Sequence, residues 1–271
     1  MLQQSAWVCE FWVSQNGNII YCHSDMTQSL IQKETSKLSR GLVPNFLPIN
    51  TILVPQGAEY KAVCRAFRGV TASIPMVVAI PVGMKPLLKY LHASPANAQF
   101  LTPKSRVLIM GICGSLSDRY RVGDIVLYKD CIYQGKQQEC DRTFTAQLHS
   151  CISQKVSLVK ALTSDRVIWS AAEKRRLGET LAADVVDMEG FTALEFFNAA
   201  GVDVAILRVV SDDCQHNIPD LTSAINSNGS LNLFPLAIGM LRQPLAATRL
   251  IRGSLAALKV LEQVTNLLFS G

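Results

Sequence analysis

From residue 51 onward, short and almost wholly apolar runs alternate with stretches of helical period, and a glycine or an acid closes most runs. Thr51-Ile52-Leu53-Val54-Pro55 reads as a buried strand, followed by Gln56-Gly57-Ala58-Glu59 and a helix to Phe67. Pro75 to Val82 predicts a second strand closed by Gly83, and Pro86 to His92 begins a helix. Arg106 to Met110 predicts a strand ended by the turn Gly111-Ile112-Cys113-Gly114-Ser115. Asp124 to Lys129 is a further strand, and residues 166 to 169 a short one. Glu189 to Ala200 predicts a helix stopped by Gly201, and Val202 to Val210 a strand ended by Ser211-Asp212-Asp213. Strands apolar on both sides, alternating with helices, indicate an α/β chain whose largely parallel sheet is covered on both faces. Its polar residues gather at the C-terminal strand ends, the edge where such sheets bind ligands.

Two flanking regions depart from this rhythm. Residues 6–13 and 19–22 are β-prone runs joined through Asn16-Gly17, a hairpin signal, and Thr27 to Leu38 carries helix formers with Gly41 as a stop. Residues 1–50 are therefore read as an N-terminal hairpin-and-helix appendage, and 51–271 as the main domain. At the other end, Leu250, Leu255, Leu258, Leu261 and Val264 have near-helical spacing, which predicts a long helix from Leu245 packed on the sheet. A membrane-surface or subunit-contact helix is the alternative, since Arg249, Arg252 and Lys259 lie on or beside it.

Composition narrows the function classes. Hydrophobic residues make up 49% of the 271 and charged residues 17%, so a large core is expected, covered by the chain or by a second subunit. The net charge of +5 is modest, the basic residues are scattered apart from Lys174-Arg175-Arg176, and aromatics are 7%; nucleic-acid binding is not expected. The eight cysteines show no C-x-x-C pair and no finger-like histidine spacing, so zinc is not expected. Residues 1–12 lack a basic region and carry Glu10, unlike a secretory leader, so a cytoplasmic chain with reduced thiols is the expectation. Leu233 to Leu241 is about half the length of a membrane span.

Three segments carry candidate chemistry. The first, Gly111-Ile112-Cys113-Gly114-Ser115-Leu116 with Val122-Gly123-Asp124-Ile125-Val126, lets backbone approach a ligand closely, because glycine has no Cβ; a tight turn alone is the plainer reading. It lacks the dinucleotide G-x-G-x-x-G pattern, too little chain follows for a crossover helix, and no Gly-x-Ser-x-Gly nucleophile elbow occurs. The second, Asp187-Met188-Glu189-Gly190, sets two acids at a helix start, where capping competes with ligand binding. The third ends a buried strand on Asp212 and Asp213, either an N-cap or a proton donor with a carboxylate neighbour.

Taken together, Gly111 to Leu116, Val122 to Val126, Asp187 to Gly190 and Val209-Val210-Ser211-Asp212 resemble, in order and spacing, the nucleoside phosphorylase and nucleosidase superfamily. That group includes purine nucleoside phosphorylases, methylthioadenosine/S-adenosylhomocysteine nucleosidases and phosphorylase-like enzymes of hopanoid synthesis. The resemblance covers about residues 51 to 220. It implies a three-layer α/β/α fold with a central mixed, mostly parallel twisted sheet, and cleavage of the N-glycosidic bond of a purine nucleoside of the adenosine or methylthioadenosine type. It assigns Asp212 to protonating the base at N7, Glu189 to the ribose hydroxyls, Met188 to packing on the ribose, and Arg166, Val167 and Ile168 to the base pocket. Gly83, Gly111 and Gly114 supply pocket backbone. It also implies a homo-oligomer and no cofactor, with phosphate as a possible co-substrate.

The chain departs from the phosphorylase pattern where the resemblance expects an arginine just before the first glycine: Met110 stands there. That favours attack by water. In the nucleosidases a glutamate after the first strand orients the water; Glu59 is the candidate, while an alignment slipped by one would put Tyr60 there, and an acid in a first helical turn is an equal alternative. Val167 stands where an aromatic stacks on the base. A phosphorolytic enzyme, a lipid-linked substrate and a non-catalytic nucleoside-binding module remain open readings.

Overall fold

In the computed structural model the described residues are 48–68, 70, 74–93, 105–152, 156–221 and 233–269; the N-terminal hairpin and helix expected before residue 48 lie outside them. The order is β1 (Thr51–Pro55), α1 (Ala58–Ala66), β2 (Met76–Ile80), α2 (Met84–Ala93), β3 (Arg106–Ser115), β4 (Ile125–Tyr133) and β5 (Lys136–Glu139). Then come α3 (Arg142–Cys151), β6 (Val156–Thr163), α4 (Ala171–Leu181), β7 (Val185–Asp187), α5 (Gly190–Ala199), β8 (Asp203–Asp212), α6 (Leu233–Arg242) and α7 (Pro244–Phe269). No described helix is long and apolar enough to cross a membrane.

The α/β class and the mixed, mostly parallel sheet expected above are found. The strands run β2-β1-β3-β7-β6-β4-β5, and β8 pairs with both β3 and β4. β1 pairs in parallel with β2 and β3, β3 with β8, β6 with β4 and β7; β3 with β7, and β4 with β5 and β8, are antiparallel. Buried β-branched and leucine side chains on both sides of β3 and β8 explain the near-continuous apolar runs of the sequence. The core between sheet and helices joins Leu53, Ile109, Val126, Val159, Phe197 and Ile206. Helix α7 closes the other side, approaching β8 so closely that a Cβ on Gly253 would overlap the Ser211 carbonyl oxygen.

Three local expectations are corrected. Gly111 to Ser115 is not a turn: β3 runs through it to Ser115, because parallel pairing with β8 continues from Arg106 to Cys113 and resumes, after a one-residue irregularity, at Gly114 opposite Asp212. Residues 166–169 form a loop, not a strand; the strand lies earlier, at β6, whose backbone pairs with β4. The helix expected from Glu189 begins at Gly190, with Glu189 at the N-cap position but without a capping side-chain bond. Cys64, Cys113, Cys131, Cys140, Cys151 and Cys214 are free thiols.

Candidate active site

Gly111 and Gly114 mark the centre of the candidate site because side chains from other elements occupy the space a Cβ would need. At Gly111 those are the Arg208 guanidinium and a Glu59 carboxyl oxygen; at Gly114, Asp212 Oδ2 at 2.9 Å and Val186 Cγ1 at 3.3 Å. The two glycines lie three residues apart on β3, about 10 Å along the strand. Glu59, Arg208 and Glu189 therefore gather at one level of the β3–β8 pair, and Asp212 at the next.

At the Gly111 level a single guanidinium faces three carboxyl groups. Arg208 is fully buried in β8. Its Nη2 donates to Glu189 Oε2 at 3.2 Å and to Asp187 Oδ2 at 3.3 Å, and Nη1 stands 3.9 Å from Glu59 Oε2. Nε and Nη1 have no hydrogen-bond acceptor among the described residues. Glu59, from the first turn of α1, accepts the Ile112 amide of β3 at 2.8 Å. Burial raises its carboxyl to about 8 against the opposing pull of Arg208, with Glu189 adding to the rise, the Ile112 bond opposing it, and Asp187 adding again. Burial also raises the Glu189 carboxyl, opposed by Arg208 and reinforced by Asp187. Desolvation works against the Arg208 charge, but Asp187 and Glu189 outweigh it and hold the guanidinium above its ordinary value.

The two acids of the second segment divide the roles that compete at a helix start. Asp187 does the capping: its carboxylate accepts the Gly190 amide at 3.1–3.2 Å and the Thr163 hydroxyl at 2.8 Å. Glu189 instead reaches out of its helix, and its Oε1 accepts the Gly83 amide at 2.8 Å. Gly83 has φ of 92°, a conformation that glycine adopts without strain, and a Cβ there would lie 3.9 Å from Met188 Cε. The loop before α2 thus meets Met188 and Glu189 side by side.

At the Gly114 level, Asp212 is held at both carboxyl oxygens. Lys174 of α4, 1% exposed, pairs with Oδ2 and donates to the Asp213 carbonyl at 3.1 Å. Ser211 Oγ lies 2.8 Å from Oδ1. Asp213 turns away to His216, so the two neighbouring acids face different partners. Asp212 borders a cleft of about 370 Å³ between Ser211–Ile218 and the α7 residues Arg249 to Gly253.

The remaining candidates are placed as follows. The Arg166 guanidinium pairs with Glu173 at 2.5 Å on the surface. Ile168 is buried with Leu116, Leu162, Ala183 and Val186. Val167 between them is half-buried. Met110 accepts the Thr265 hydroxyl on α7 at 3.9 Å, so it projects to the opposite side of β3 from Gly111. By strand alternation the residue sharing Gly111's side is Ile109, also uncharged and fully buried.

Sequence reasoning gave no role to Arg208 or Lys174. Arg208 was detectable: a charge inside a strand that is otherwise apolar on both faces must meet counter-charges. Lys174 was not, because within Lys174-Arg175-Arg176 nothing distinguishes a buried cation from a solvated one.

Residues 103–230 match the phosphorylase superfamily, which bears out the resemblance drawn from the motifs. Solved structures share the fold. Futalosine hydrolase of Helicobacter pylori superposes with a TM-score of 0.59 at 16% identity, over 80% of this chain and 95% of that one. The 5'-methylthioadenosine/S-adenosylhomocysteine nucleosidase of Helicobacter pylori gives 0.54 at 16% identity, over 79% and 96%. The nucleosidase of Streptococcus pneumoniae in complex with 8-aminoadenine gives 0.52 at 15% identity, over 79% and 99%. No curated protein sequence matches the chain.

Proposed function

We propose that this chain, a phosphorylase-superfamily protein through residues 103–230, cleaves the N-glycosidic bond of a purine nucleoside of the adenosine or methylthioadenosine type with water as the acceptor. One observation carries the choice of water: the only guanidinium described at the Gly111 level is shared among Glu59, Asp187 and Glu189. Those carboxyls leave the cluster negative even when Glu59 holds its proton, so a phosphate entering there is repelled. A neutral water is not.

The residues supply each part of the reaction. Glu59 is the general base: a carboxyl near 8 is partly ionised at neutral pH and takes a proton readily. The unmatched Nη1 of Arg208 is a donor that water can satisfy beside it. Glu189, fixed by Arg208 and Gly83, accepts the ribose hydroxyls, and its charge favours the oxocarbenium character that develops on the sugar. Met188 packs on the sugar. Asp212, oriented by Lys174 and Ser211, passes a proton to N7 of the departing base and takes its replacement from the Lys174 ammonium paired with its Oδ2.

The nucleosidase and futalosine hydrolase neighbours support hydrolysis over phosphorolysis. The test is to incubate the protein with adenosine, methylthioadenosine and inosine, with and without phosphate. Release of free base at the same rate in both supports the reading; strict dependence on phosphate refutes it. Binding of these nucleosides without turnover identifies a nucleoside-binding module instead.

A further inference from the structure

Helices α6 and α7 present an outward face that is both apolar and basic. Leu241 is 80% exposed, Leu245 76%, Leu255 62% and Ile251 48%. At 3.6 residues per turn, Leu245, Arg249, Arg252, Leu255 and Lys259 fall within a sector of about 120° on α7. Ala247, Gly253, Ala257, Leu261 and Val264 are buried on the other side, against the sheet and α1. From residue 233 to 261 the sequence contains Arg242, Arg249, Arg252 and Lys259 and no acid.

We infer that this face docks on an anionic lipid surface. Leucines standing in solvent among cations are the pattern of a helix that lies in the headgroup region, burying its apolar side chains while the guanidinium groups meet lipid phosphates and carboxylates. The charge argues against a second copy of the chain as the occupant. A twofold contact is self-complementary, so it would bring this all-basic surface against itself. Arg249 and Arg252 also line the cleft beside Asp212, so docking sets that cleft at the lipid–water boundary.

The experiment is co-sedimentation of the full-length protein with phosphatidylcholine vesicles, with and without about one-third phosphatidylserine. Binding is expected to the anionic vesicles, weakened by high salt, and at least about tenfold weaker to the neutral ones. Arg249→Gln and Arg252→Gln are each expected to weaken it about fivefold. Leu245→Ser with Leu255→Ser is expected to abolish it, while Leu158→Ser, an exposed leucine on β6, leaves it intact. Failure to bind anionic vesicles overturns the inference. So does equal binding to both vesicle types, or a Leu245→Ser/Leu255→Ser variant that loses an oligomeric state while its vesicle binding is unchanged.

Discussion

Arg208 and Glu189 are locked together at 3.2 Å, and the second oxygen of Glu189 is fixed on the Gly83 amide at 2.8 Å. The carboxylate proposed to hold ribose is therefore set by a buried cation on one side and a glycine loop on the other. Arg208→Met removes the cation from three carboxyl groups at once. At pH 7 this is expected to destabilise the fold by about 3–5 kcal/mol, as for other broken buried pairs. The deficit shrinks as pH falls, because protonated carboxyls need no counter-charge. Urea denaturation at pH 7 and pH 5 checks both statements.

Glu59 ties activity and stability to pH in opposite senses. The proposed base must be ionised, so kcat/KM of the free enzyme is expected to rise with pH until about 8 and then level. Glu59→Gln is expected to lower turnover by roughly 10²–10⁴-fold and to remove this limb. In stability, a carboxyl raised on folding binds its proton more tightly in the native state. Its contribution is fully present below the unfolded value of 4.5 and is lost as pH rises through about 8. Glu59→Gln should therefore melt at a higher temperature than the parent above pH 8, with the difference narrowing toward pH 5.

Asp212→Asn keeps the shape of the side chain and removes its acid. Turnover is expected to fall about 10²–10⁴-fold with a smaller change in KM. Lys174→Met instead leaves the Asp212 carboxyl group in place without its cation and proton source. It is expected to cost about 3 kcal/mol of stability, the lower end for a broken buried pair because Asp212 keeps 13% exposure. Steady-state kinetics beside thermal melts separate the two effects.

The glycines of β3 test close approach directly. Gly111→Ala sets a methyl group into Arg208 and Glu59 and should destabilise by about 1–3 kcal/mol. Gly114→Ala sets it 2.9 Å from Asp212 Oδ2, whose shift should lower kcat by up to about 10²-fold with the fold kept. Unchanged kcat in Gly114→Ala would show that Asp212 position is not critical.

The class of fold was legible because its strands are buried on both faces and so read as apolar runs. The strand through Gly111 to Ser115 was hidden: glycines suggest a turn, but here they make room for Arg208 and Asp212 while pairing with β8 continues. β6 was missed because Ser157 and Lys160 interrupt its apolar pattern, although backbone pairing with β4 holds it. In the candidate site, the acids at 59, 189 and 212 could be named from motif position. What sequence could not supply is the pairing. Asp187 as the cap and Glu189 as the outward carboxylate, or Lys174 folded inward onto Asp212, follow from tertiary contacts between elements far apart in the chain.

The most direct test of water as the acceptor is to run the reaction in oxygen-18-labelled water with phosphate present and analyse the sugar by mass spectrometry. The structure-based proposal predicts free ribose, or its methylthio form, labelled at the anomeric oxygen. An unlabelled sugar 1-phosphate as the product would contradict it.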